Sequence, residues 1–94
     1  MSDDRIRAFL SDTLALWRVS GTVEPGDAPV VAIIRTEQSD AISIERGAPP
    51  FRWIVRTDRT RPCASLVGLL NALRGALGVE RGSAVRVAPA PQQR

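Results

Sequence analysis

The stretch that decides the fold is residues 30–56, VVAIIRTEQSDAISIERGAPPFRWIVR. It holds three apolar runs, and polar residues, Gly and Pro lie between them. The run from Val30 to Arg35 is rich in β-branched residues and predicts a deeply buried strand. In Ile42 to Glu45 and Phe51 to Arg56, apolar and polar residues alternate, as in strands with one covered face. Because the connections are short, we expect antiparallel neighbours in one sheet.

One more strand and a helix precede this stretch. From Trp17 to Glu24 the apolar residues recur with period two, which predicts a strand that ends in a Pro-Gly turn. Ser2 can cap a helix whose first turn holds Asp3 and Asp4, since acidic groups favour the positive end of a helix. One helical stripe is formed by Ile6, Phe9, Leu10, Leu14 and Trp17.

A second helix follows the stretch. Pro62 is tolerated only in a first helical turn, so the helix is predicted to start near Thr60 to Ala64 and to end at Gly78. Its apolar stripe is formed by Leu66, Leu69, Leu70, Leu73 and Leu77. A last strand is predicted over Ala84 to Ala88, and residues 89–94 are predicted to be a flexible tail.

These elements predict one α+β domain over residues 1–88, in the order α-β-β-β-β-α-β. The sheet is expected to be mainly antiparallel, with both helices packed on one face. A length of 94 residues suits one domain with one core. The predicted core consists of Phe9, Leu10, Leu14, Trp17, Val19, Ile34, Ile44, Trp53, Val55, Leu66, Leu70, Leu73 and Val85.

Composition limits the location and the class of partner. No apolar run is long enough to span a bilayer, and the acidic start does not resemble a signal peptide. The single Cys63 cannot form an internal disulfide, so a reducing cytoplasm is expected. Residues 1–45 carry eight acids and four arginines, whereas residues 46–94 carry two acids and nine arginines. This dipolar pattern can neutralise itself, so it is weak support for a nucleic-acid partner.

The sequence favours a protein that is not an enzyme and that needs no metal or cofactor. It has no His and no Tyr, so the usual acid–base partners of Ser or Cys nucleophiles are missing. Zinc, calcium and phosphate-loop spacings are also missing. A thiol enzyme using Cys63 is a third hypothesis, because Arg59, Arg61 and a helix start can lower a thiol pKa. The alternative is a small side chain packed beneath the helix end.

Arg52, Arg56, Arg59 and Arg61 are candidate anion-binding residues. On an uncovered sheet face they could bind phosphates or an acidic protein surface. The alternative is a solvated face that pairs with acids of the first half. Phe51 and Trp53 alternate to the other side of the strand, which disfavours stacking on nucleic-acid bases.

The second helix carries Gly68, Asn71, Ala72 and Gly75 opposite its leucines. This small-residue face is a candidate interface, either with the first helix or with a second copy across a two-fold axis. We therefore expect a small non-enzymatic binding or adaptor domain, homodimeric and cytoplasmic, whose ligand is a protein or an anion. The alternative is a nucleic-acid-binding accessory domain that uses the segment from Arg46 to Arg61.

Overall fold

The structure is a computed structural model that describes residues 2–37 and 39–79. Within them, two helices and an antiparallel sheet form a compact α+β fold, which confirms the predicted fold class. The strand predicted over residues 84–88 and the tail predicted over residues 89–94 lie outside the described residues. The elements are α1 (Asp3–Leu16), β1 (Gly21–Glu24), β2 (Val30–Thr36), β3 (Ile42–Arg46), β4 (Trp53–Arg56), β5 (Thr60–Cys63) and α2 (Leu66–Leu77).

The sheet is an antiparallel meander in which the strands lie side by side in chain order. Its register places Ala32 opposite Ile44, and Ile44 opposite Val55. These three side chains therefore point to the same side, which we call the inner face, and all three are buried. The other side, the outer face, carries the alternate residues of each strand.

Both helices pack on the inner face. α1 lies over β1 and β2, and α2 lies over β4 and β5. Leu10 of α1 and Leu69 of α2 belong to the same buried core as the sheet. The two helices also meet at their C-terminal ends, where the guanidinium carbon of Arg74 lies 5.3 Å from the ring centroid of Trp17. That distance is typical of a cation–π contact.

The start of α1 agrees with the sequence prediction. The Ser2 side chain accepts a hydrogen bond of 3.3 Å from the backbone N–H of Arg5. The neighbouring Asp3 forms an ion pair of 2.8 Å with Arg46 at the end of β3. This contact joins the first turn of α1 to the sheet. It also pairs an acidic residue of the first half of the chain with an arginine of the second half.

Residues 60–63 form strand β5, whereas the sequence predicted a helix start there. Pro62 is accommodated because β5 is an edge strand, where a missing N–H need not break a ladder. The strand pairs Trp53 with Cys63 and Val55 with Arg61. The helix begins only at Leu66. Ser65 is its N-cap, and the Ser65 side chain accepts a hydrogen bond from the backbone N–H of residue 68.

The core contains seven of the thirteen predicted residues, namely Leu10, Leu14, Ile34, Ile44, Trp53, Val55 and Leu73. Five are only half-buried, namely Phe9, Trp17, Val19, Leu66 and Leu70. Val85 lies outside the described residues. Further core residues that the prediction left out are Ile6, Val31, Ala32, Ile42, Cys63, Leu69 and Ala72.

Two local features explain part of this difference. The pairing of β2 with β3 is irregular between Val30 and Ala32, and such a bulge lets successive residues, here Val31 and Ala32, both be buried. In α2 the side that faces the sheet is centred on Leu69, Ala72 and Leu73, so the helix is rotated away from Leu70.

Candidate functional site

The four predicted anion-binding arginines do not form one patch. Arg56 of β4 lies on the outer face, where it pairs with Glu45 of β3. Arg61 is opposite Val55 in the register and therefore lies on the inner-face side. Arg59 belongs to the turn between β4 and β5, and Arg52 precedes β4. Of these four arginines, Arg59 and Arg61 line one cleft and Arg52 lines a different one.

The outer face is largely neutralised by acids of the first half. Besides the pair of Arg56 with Glu45, Arg35 of β2 pairs with Glu24 of β1 at 3.1 Å. Isolated exposed pairs of this kind contribute little to stability. These ion pairs matter more for binding, because a guanidinium that is already paired with a carboxylate is less available to an external anion.

Arg59 and Arg61 line a cleft of about 590 Å³ on the inner-face side. The cleft, which we call the hairpin cleft, lies between the second half of α2 and the β2–β3 and β4–β5 turns. Its lining residues are Ser39, Asp40, Ile42, Val55, Thr57, Asp58, Arg59, Arg61, Ala72, Gly75 and Ala76. The floor is therefore apolar, and the rim carries charges of both signs.

Small residues of α2 leave room for this cleft. A Cβ atom on Gly75 would meet Nη1 of Arg61 at 3.7 Å, an ordinary contact distance. Ala72 is only 3% exposed and belongs to the core of the same chain. A Cβ atom on Gly68 would meet Ser65 and Cys63. Of the predicted interface residues, Asn71 and Gly75 are exposed, Gly68 is half-buried and Ala72 is buried in the core of its own chain.

The two arginines of the hairpin cleft have no side-chain ion pair within the described part of the chain. Asp58 instead accepts a hydrogen bond of 2.9 Å from Oγ1 of Thr57. That hydroxyl also accepts a bond of 3.2 Å from the backbone N–H of Arg59. The turn is thereby shaped by its own polar groups, and the guanidinium groups are left for other partners.

Cys63 is buried and is a poor candidate nucleophile. Burial raises the pKa of its thiol, and the positive charge of Arg61 only partly opposes the rise. The Sγ atom donates weakly to the carbonyl oxygen of Arg61 at 3.5 Å. The predicted helix start that would have lowered the pKa is not at Cys63, because α2 begins later. The thiol is therefore protonated at neutral pH.

A second cleft, of about 380 Å³, lies at the other end of α2. We call it the arginine–tryptophan cleft. Its lining residues are Arg46, Gly47, Pro49, Pro50, Phe51, Arg52, Trp53 and Leu66. Sequence reasoning missed it, because Phe51 was expected to point inward at the start of a longer strand. In the structure β4 begins at Trp53, and Phe51 is 42% exposed.

Among residues 2–37 and 39–79, no three His, Cys, Asp or Glu side chains come together as a metal site would require. Neither described helix is both long and apolar enough to cross a bilayer. Comparisons with protein-family models, with curated proteins and with solved structures found no match to this chain. Function therefore has to be inferred from the two clefts.

Proposed function

We propose that this protein is a non-enzymatic binding domain whose hairpin cleft takes a small ligand with an apolar body and an anionic group. The observation that carries the proposal is the position of Arg59 and Arg61. Both line the same cleft, and neither side chain has an ion pair in the described residues. Guanidinium groups without acidic partners are strong, directional donors to carboxylates and phosphates.

The size and lining of the cleft support a small molecule. Its volume of about 590 Å³ is in the usual range for small-ligand sites, which combine apolar walls with a few polar groups. Ile42, Val55 and Ala72 supply the apolar floor. Asp40 and Asp58 on the rim would repel a polyanion, so the cleft favours a ligand with one anionic group over a polymer of phosphates.

A titration with benzoate tests this proposal, and inorganic phosphate serves as a second probe without an apolar body. The methyl resonances of Ile42, Val55 and Ala72 should shift with benzoate. Replacing Arg61 with Ser should weaken binding by about tenfold or more, since a charge-assisted hydrogen bond is lost. Gly75→Leu should also weaken it by filling the cleft.

The matched control is Arg52→Ser, which removes the same charge at the other end of α2 and should leave benzoate binding unchanged. Equal losses in Arg52→Ser and Arg61→Ser would reduce the effect to net charge and overturn the proposal. The proposal would also be overturned if benzoate shifted resonances elsewhere in the protein and left those of the floor residues unchanged. Phosphate that binds as tightly as benzoate would show that the apolar floor has no role.

The second candidate function is a nucleic-acid-binding accessory domain using the segment from Arg46 to Arg61. It is favoured by Arg52, Arg59 and Arg61, which lack acidic partners in the described residues. It is disfavoured by the pairs that hold Arg46 and Arg56. Binding of a single-stranded oligonucleotide should, on this hypothesis, weaken steeply with salt. Benzoate competing for the same residues at constant salt would favour the first candidate.

The homodimer remains a proposal, and the surface that supports it is the outward side of α2. Val67 is 68% exposed there, and Asn71 lies on the same side. The cytoplasmic location is also proposed, on the strength of the single free thiol of Cys63.

A further inference from the structure

The arginine–tryptophan cleft has features of a binding site that the hairpin cleft does not share. Trp53 is 98% buried, at 2% exposure, yet its indole Nε1 has no hydrogen-bond acceptor in the described part of the chain. Burying a donor without a partner costs desolvation free energy, so such a donor is rarely retained without an acceptor.

The charged residues that line this cleft within the described part of the chain are both basic, Arg46 and Arg52. Arg46 is already paired with Asp3 at 2.8 Å, so a ligand anion would meet Arg52. The guanidinium carbon of Arg52 lies 5.9 Å from the ring centroid of Trp53, which orients this cation over the ring. Arg52 has no ion pair among the described residues. The cleft is therefore complementary to a negative group.

Its apolar rim indicates the kind of molecule that carries this group. Phe51 is 42% exposed beside Pro49 and Pro50, and proline and aromatic surfaces are common contacts for an extended peptide. The cleft is smaller than the hairpin cleft and is formed by the end of β3, the β3–β4 loop, the start of β4 and the first residue of α2. It can hold a few residues of a chain but little of a folded surface.

We propose that the arginine–tryptophan cleft binds an acidic, extended peptide segment of a partner protein. A Glu or Asp carboxylate of the peptide pairs with Arg52 and draws the guanidinium away from the ring, and a second oxygen accepts from the indole N–H of Trp53. The residues beside this acid pack on Phe51. This site is separate from the hairpin cleft, and neither proposal depends on the other.

The probe is an acetylated peptide of alternating Glu and Pro, which stays extended in water. The chain has two tryptophans, so a Trp17→Phe variant assigns the indole resonance of Trp53. This indole proton should shift downfield during the titration, as expected for a donor that gains an acceptor. Arg52→Ser should weaken binding by about tenfold or more. Arg61→Ser, the matched control, should leave it unchanged.

Further probes and one further variant identify the chemistry of the ligand. A peptide with Gln in place of Glu should not bind, and Arg52→Lys should bind more weakly than the wild type because it loses the forked geometry. Inorganic phosphate and a single-stranded oligonucleotide should bind more weakly than the Glu peptide. Equal binding of the Glu and Gln peptides, tighter binding of phosphate or the oligonucleotide, or an unmoved Trp53 indole resonance would each overturn the proposal.

Discussion

Cys63 is the only side chain of this sequence that titrates between neutral pH and the arginine range, because the chain has no His, Tyr or Lys. Its thiol is buried, and burial raises the pKa in the folded state. The folded protein therefore holds its proton at pH values where the unfolded chain has lost it. The contribution to stability is complete below the unfolded pKa and is lost progressively above it.

We predict that the free energy of unfolding falls as pH rises above the ordinary thiol pKa, by no more than about 1.4 kcal/mol per pH unit for a single thiol. Urea melts between about pH 7 and pH 11 measure this fall. Cys63→Ala removes the titrating group and should flatten the curve. A wild-type curve that is flat, or that falls as steeply in Cys63→Ala, would contradict the assignment to this thiol.

Within α2, the structure reverses the predicted roles of two neighbouring leucines, since the predicted core included Leu70 and left out Leu69. Leu69 is fully buried, whereas Leu70 lies on the flank of the buried side. Leu69→Ala should therefore lower the free energy of unfolding by about 2–5 kcal/mol, and Leu70→Ala by clearly less. Denaturant melts of the two variants test the rotation of the helix. A larger loss for Leu70→Ala would mean that the leucine stripe itself faces the sheet.

The glycines of α2 make a second matched pair. Gly75 lies within the helix with ordinary space for a Cβ, so Gly75→Ala should stabilise by up to about 1 kcal/mol. Gly78 caps the helix at a φ of 73°, a conformation that costs other residues about 1 kcal/mol or more. Gly78→Ala should therefore destabilise. Thermal melts that showed the same sign for both variants would contradict these assignments.

Elements with strong local signals could be predicted from the sequence, and elements set by tertiary contacts could not. The helix cap at Ser2 and the strand β3 could be assigned from local sequence alone, because each depends on neighbouring residues in the chain. Pro62 is compatible with both a helix start and an edge strand, and only pairing with β4 decides between them. That error also hid the side of the sheet on which Arg61 lies. The hairpin cleft could not be predicted from the sequence, because it forms only where two turns and α2 come together in the fold.

At the scale of the whole molecule, the acidic first half and the basic second half meet inside one fold. Arg46 pairs with Asp3 and Arg56 with Glu45, each joining the two halves. Among the described residues, Arg52 and Arg61 have no ion pair, and they line different clefts at the two ends of α2. This division supports the two proposed recognition points more directly than it supports one continuous basic surface.

The proposed homodimer is the prediction that depends on the outward side of α2. If Val67 is buried between two copies, Val67→Glu should shift the mass measured by light scattering toward the monomer and leave the circular dichroism spectrum unchanged. Leu16→Glu is the matched control, because Leu16 is also an exposed apolar residue, at 79%, but lies on α1. Gly75→Leu should not change the mass, since Gly75 faces Arg61 of its own chain. A wild-type protein that stays monomeric at every concentration, or equal shifts for Val67→Glu and Leu16→Glu, would refute this interface.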